Sequence, residues 1–131
     1  MTAYLLDTNH ASPLVTLHHP LRQKILAAMD AGDTFAITVP VLTETLYGIS
    51  VTPRGKQNRV IWAQLEPQII CYVPNAIDAT KAADLQIRLR REGRQLATVD
   101  ALIAIIALRY NLVLLTTDND FKAVPDLRQE S

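Results

Sequence analysis

Short apolar runs alternate along this chain with longer amphipathic segments, and that rhythm restricts the fold more than any other feature. The runs at residues 3–6, 35–38, 69–73 and 112–116 read as strands, because each is brief, rich in branched or aromatic residues and bounded by turn formers. Between them the apolar positions recur at helical spacing. Leu21, Ile25, Leu26 and Met29 share one face after Pro20, and Leu42, Thr45, Leu46 and Ile49 share another after Pro40. A basic start at Arg54 and Lys56 leads into Val60, Ile61 and Leu65 within 53–68. A long helix is predicted over 77–91, with Ala79, Ala83, Ile87 and Leu85, Leu89 as its apolar positions, ended by Gly93. Thr98 is expected to cap the next helix and Asn111 to end it, while 124–127 could add a weak edge strand. Strands alternating with helices favour a parallel sheet covered on both faces, so the fold class is α/β with a mainly parallel sheet of four to five strands.

The 131 residues, 49% of them apolar, suffice for one core and are too few for two ordinary domains, so a single domain over 1–131 is expected. Formal net charge is zero, which argues against coating nucleic acid by bulk electrostatics but leaves a local basic patch open. Cys71 is the only cysteine and cannot form an internal disulfide; its apolar neighbours predict a small buried side chain. No signal peptide or anchor is read at the N-terminus, and the apolar block 101–108 is far short of the roughly 20 residues that span a bilayer. A cytoplasmic protein without membrane association is therefore expected.

Acids stand where these elements join. Asp7 follows the first strand, Glu44 lies early in the helix after the second, Asp100 opens an almost wholly apolar helix, and Asp118 and Asp120 follow the last long run. Each has an ordinary explanation alone. Asp7-Thr8-Asn9 could simply cap a helix, Asp100 could complement a helix dipole, and Asp118-Asn119-Asp120 could be a turn. Glu44, flanked by Leu42, Thr45 and Leu46, is expected to be only partly solvated. In an open parallel sheet, however, residues just past the strands converge on one edge. Two ionised carboxylates about 5 Å apart repel by about 3 kcal/mol at an effective dielectric near 20. Four such groups would cost on the order of 10 to 20 kcal/mol, as much as a domain's whole stability of about 5 to 15 kcal/mol. A cation must join them, or they do not meet.

The ligand type selects the cation. Carboxylates with Thr and Asn nearby suit Mg²⁺ or Mn²⁺, whereas zinc prefers His or Cys, and His10, His18 and His19 lack a ligand spacing. Such an ion engages phosphates, so the expected reaction is phosphodiester hydrolysis by a metal-activated water. No Gly-rich phosphate loop is present among only four glycines. An aspartyl-nucleophile phosphatase at Asp7 is weaker, because Asn9 replaces the second acid that one large phosphatase family carries.

In order and context, Leu5-Leu6-Asp7-Thr8-Asn9, Thr43-Glu44-Thr45-Leu46-Tyr47-Gly48-Ile49, Asp100-Ala101-Leu102-Ile103-Ala104 and Thr116-Thr117-Asp118-Asn119-Asp120-Phe121 resemble the four acidic motifs of PIN-domain ribonucleases. The closest likeness is to VapC-like toxins of bacterial toxin–antitoxin pairs. That resemblance implies a three-layer α/β/α sandwich, Mg²⁺- or Mn²⁺-dependent endoribonuclease activity, homodimerisation and inhibition by a cognate antitoxin. It implies Asp7, Glu44 and Asp100 as acidic metal ligands and either Asp118 or Asp120 as the fourth. Thr8, Asn9 and Thr116 would orient carboxylates or waters. For the RNA, Arg88, Arg90, Arg91 and Arg94, with Lys56 and Arg54, are candidate phosphate contacts, although a solvated helix end explains the arginine cluster equally well. Tyr47 could stack on a base or pack in a core or dimer. The alternative function is a non-catalytic PIN-like module that binds RNA or holds a partner protein's arginine with the same acids.

Overall fold

The computed structural model describes residues 1–131. Strands β1 (Ala3–Leu6), β2 (Thr34–Thr38), β3 (Ile69–Tyr72), β4 (Val113–Leu115) and β5 (Gln129–Glu130) form one sheet in the order β3-β2-β1-β4-β5. Every neighbouring pair is parallel. Helices α1 (Thr8–Ala11), α2 (Pro20–Asp30), α3 (Val39–Ser50), α4 (Gly55–Leu65), α5 (Ala76–Arg91) and α6 (Thr98–Arg109) flank it as an α/β/α sandwich. In the central strands, consecutive residues are buried: Leu5 and Leu6 are sealed, and Leu5 stands between Ala36 on β2 and Leu114 on β4. Both faces are covered, which is why these runs are continuously apolar instead of alternating.

Local chemistry sets the helix starts. Asp7 caps α1, and a proline stands in the first turn of α2 and of α3, where its missing N–H costs nothing. A reciprocal capping box opens α5: Asn75 Oδ1 accepts from Asp78 N, and Asp78 Oδ2 accepts from Asn75 N, both at 2.9 Å. The same Asp78 oxygen accepts from Arg109 at 2.8 Å and so ties α5 to α6. Gly93 and Asn111 take left-handed φ values of 76° and 55° just past α5 and α6 and end them as expected.

Four local expectations change. In α5 the buried positions are Asp78, Ala82 and Leu89, whereas Ala79, Ala83 and Ile87 are exposed, because the Asp78–Arg109 pair sets which face meets α6. Cys71 is exposed, since β3 is an edge strand paired only with β2. Desolvation, and then Glu66, raise the pKa of its thiol, which disfavours the reactive thiolate. The last strand is Gln129–Glu130 and not 124–127, where Val124 is buried and Asp126 turns the chain at φ 65°. Finally, Ala97 is the N-cap of α6 and Thr98 its first residue. No helix is long and apolar enough to cross a membrane.

Candidate active site at the carboxyl edge of the sheet

Strand order places the site. From β1 the chain moves outward to β2 and β3 on one side, then returns to β4 and β5 on the other, so the strand order reverses between β1 and β4. A crevice is expected beyond the carboxyl ends of two such strands. Asp7 follows β1 directly, and its N–H donates to Leu115 O of β4 at 3.0 Å, joining the two strand ends. Asp118 follows β4 by three residues, Asp100 enters from the first turn of α6, and Glu44 from α3.

These four acids line one open polar cleft with Thr8, Asn9, Ser12, Pro13, Thr16 and His19. Asp7 is buried, Asp100 and Asp118 are half-buried, and Asp120 is exposed. One carboxylate oxygen each from Asp100, Asp118 and Asp120 lie within 4.8 Å of one another. Glu44 is exposed rather than partly shielded, because its turn of α3 faces solvent, and Thr8 Oγ1 reaches its Oε2 at a long 3.4 Å.

The repulsion among the acids falls most heavily on Asp100. Desolvation, then the carboxylates of Asp7, Asp118, Asp120 and Glu44, push its pKa up from 3.8 to about 6. Every acid that the sequence singled out is therefore felt at this one group. The donors fit a hard divalent cation: they are oxygens, and above the raised pKa of Asp100 a bound cation relieves their mutual repulsion. His19 also lines the cleft, but its Nδ1 accepts from Leu21 N at 3.1 Å to cap α2.

A hydrogen-bonded base holds Asp7. Its Oδ1 accepts from Thr8 N at 2.9 Å, and its Oδ2 from Thr116 Oγ1 at 2.7 Å and Asn9 Nδ2 at 3.3 Å. A carboxylate has about four acceptor positions, so one remains for a cation. Thr116 Oγ1 also accepts from Asp118 N at 3.0 Å, and Asp118 Oδ1 accepts from Asp120 N at 2.9 Å. Behind this layer lies His10, 2% exposed, with Nδ1 2.7 Å from Asn9 Oδ1. Burial lowers its pKa against the opposing effect of Asp7, with Lys24 adding to the decrease. The sequence disfavours His10 as a zinc ligand and suggests no other part for it; helical periodicity cannot reveal one, because α1 has only four residues.

The cationic candidates separate. Arg90 and Arg94 line a groove with Gln86, Gln95 and Thr98 that reaches Asp120. Arg54 lines a second groove with His18 and Thr16, and Thr16 also borders the acidic cleft. Arg88 instead lies 3.9 Å from Glu92, the residue that caps the C-terminus of α5. Arg88, Arg91 and Lys56 line neither the acidic cleft nor the arginine groove. Tyr47 is exposed, so it does not pack in the core.

Comparison with known proteins extends the geometry. The PIN domain profile matches residues 4–127. Ribonuclease VapC2 of Rickettsia felis is 29% identical, over 98% of this chain and 96% of its own. VapC ribonuclease Y4jK of Sinorhizobium fredii is 25% identical, over 87% and 86%. Among solved structures, VapBC2 from Rickettsia felis bound to a DNA fragment from their promoter superposes with a TM-score of 0.82 at 26% identity, covering 98% of each chain.

Proposed function

The chain belongs to the PIN-domain family, and from that membership we propose that it is a divalent-metal-dependent endoribonuclease, the toxin of a toxin–antitoxin pair. The observation that carries this reading is the convergence of Asp7, Glu44, Asp100 and Asp118 on one cleft, with the Asp100 pKa raised to about 6 by burial and by the surrounding acids. The relatives named VapC ribonuclease support RNA as substrate, and the similar VapBC structure supports an antitoxin as partner.

Mg²⁺, or Mn²⁺ in its place, would be held by Asp7 and Asp100 with Asp118 or Asp120, whose oxygens lie within 4.8 Å of Asp100, and with Glu44 at the exposed edge of the set. When bound, the ion supplies positive charge to a phosphodiester and acidifies a water. The protein's part is to keep the acids in place. Thr116 holds Asp7 and the Asp118 backbone from one hydroxyl. Arg90 and Arg94 lie where an RNA strand leaving the acids past Asp120 would present its phosphates, and such contacts position a strand without reading its sequence. A second copy of the chain is the other partner the resemblance implies. A non-catalytic module is not favoured, because holding one arginine does not require four acids in one cleft.

Purified protein is expected to cleave RNA with Mg²⁺ or Mn²⁺, to stop in chelator, and to lose activity in Asp7→Asn and Asp100→Asn. Equal cleavage by wild type and both variants would overturn the proposal. Adding the product of a neighbouring small antitoxin gene is expected to suppress cleavage.

A further inference from the structure

Asn9 is exposed, yet its side chain touches four groups around the acidic cleft. Its Nδ2 donates to Asp7 Oδ2 at 3.3 Å and to Thr116 Oγ1 at 3.4 Å, and its Oδ1 accepts from Thr117 N at 3.3 Å. All three are longer than the usual range of about 2.7–3.2 Å and bind weakly. The fourth contact, Oδ1 to His10 Nδ1, is 2.7 Å. An exposed amide held by three long bonds would rotate freely, so the short one sets its orientation.

The direction of that bond follows from its neighbours. The Thr117 amide can only donate and the Asp7 carboxylate accepts, so Asn9 turns its oxygen toward Thr117 and His10 and its NH₂ toward Asp7. His10 must then donate from Nδ1. The helical turn anchors the residue, since His10 N donates to Asp7 O at 3.0 Å, and the buried ring lines a small cavity with Tyr4, Ile25, Phe35 and Leu115 and with Lys24 and Glu130 at its polar side.

We infer that His10 is a positioning residue: its Nδ1–H locks the Asn9 amide so that Asn9 donates to Asp7 and Thr116 and holds the Asp7 carboxylate ready for a cation. The relay itself stands on geometry, and its consequence for metal binding rests on the ribonuclease reading. A histidine that merely filled the core would be replaceable by an apolar side chain of similar bulk. One that orients Asn9 would not.

Calorimetric titration with Mn²⁺ and RNA cleavage kinetics on His10→Leu, His10→Asn, Asn9→Ala and the His10→Leu/Asn9→Ala double variant test the inference. His10→Leu is expected to lose about tenfold in Mn²⁺ affinity, within the range for removing a group behind a metal ligand. Its kcat should fall while the KM for RNA stays near wild type. His10→Asn, whose amide N–H can replace Nδ1–H, should recover most of both losses, and His10→Leu should add nothing in the Asn9→Ala background. A folded His10→Leu with wild-type Mn²⁺ affinity, or additive losses in the double variant, would overturn the inference. If wild type binds no divalent ion, the ribonuclease reading fails separately, and NMR of the metal-free protein decides the relay. Asn9 side-chain amide signals resolved in wild type and His10→Asn but shifted to free-amide positions in His10→Leu support it; identical Asn9 signals in all three sink it.

Discussion

Thr116 Oγ1 donates a 2.7 Å hydrogen bond to Asp7 Oδ2, joining the end of β4 to the end of β1 across 109 positions of sequence. The same hydroxyl accepts from Asp118 N, so one buried side chain sets the spacing of two acids. Thr116→Val keeps the shape and removes these two bonds together with the long one from Asn9. Leaving buried polar groups unpaired costs about 1–3 kcal/mol. Calorimetric Mn²⁺ titration should show about 10- to 100-fold weaker binding, whereas Thr116→Ser should stay close to wild type. Unchanged affinity in the valine variant would show that Asp7 needs no such support.

Asp118 and Asp120 both bring a carboxylate oxygen into the cluster around Asp100, but their settings differ. Asp118 is half-buried and lines the cleft with Asp7, Glu44 and Asp100, while Asp120 is exposed and borders the arginine groove. Asp118→Asn is expected to lower kcat on the order of 100-fold or more, beyond the cost of losing a merely supporting group. Asp120→Asn should cost no more than about tenfold by the same standard. Single-turnover RNA cleavage distinguishes the two, and the reverse ranking would assign the principal role to Asp120.

Asp100 makes metal-free stability depend on pH. Its folded pKa is raised from 3.8 to about 6, so the folded state holds the proton more tightly than the unfolded state. The stabilisation from that proton is complete below the unfolded pKa and is lost as pH rises through about 6. In chelator, Asp100→Asn should therefore melt several degrees above wild type at pH 7.5, on the order of 1 kcal/mol once solvent screening is discounted. The gap should narrow once pH falls below about 6 and close only near 3.8, the unfolded value. Added Mg²⁺ should raise the melting temperature of wild type more at pH 7.5 than at pH 5, because protons compete for the same oxygens. A melting temperature flat across this window would remove the electrostatic basis of the site.

An arginine inside α5 and one just past its end should differ in effect. Arg94→Ala, in the groove that reaches Asp120, is expected to raise the KM for RNA several-fold with little change in kcat. It should also lower the salt dependence of binding by about one counterion. Arg88→Ala should do neither, since its exposed pair with Glu92 is worth only about 0.3–0.5 kcal/mol and lies outside the groove. RNA binding measured across a salt series checks both, and equal effects would favour a general basic surface over a groove.

Gly55 begins α4 where the chain leaves α3, and a Cβ there would overlap the carbonyl of Ser50. Asn58 closes the same corner by donating to Ile49 O at 2.9 Å and Thr52 Oγ1 at 3.1 Å. Gly55→Ala is expected to cost about 1–3 kcal/mol in chemical denaturation, the usual range for overpacking. A neutral result would mean that the corner yields without loss.

Much of this protein was legible before any coordinates. Strand and helix rhythm depends on neighbours a few residues apart, so β1 to β4 and the helices were readable, as were the acids that stand at their ends. Only the tertiary structure decided what those acids meet. Strand order sets β1 beside β4 and so brings Thr116 to Asp7, a relationship that no local spacing encodes. Packing of α5 on α6 put Asp78 inside, where it meets the half-exposed Arg109, and left Ile87 outside, against the apolar stripe. His10 was hidden for the same reason: its part depends on the Asn9 amide, whose orientation is fixed by groups that meet only in the folded chain. Periodicity reports which residues share a face, whereas hydrogen bonds and charge at the site depend on which faces meet.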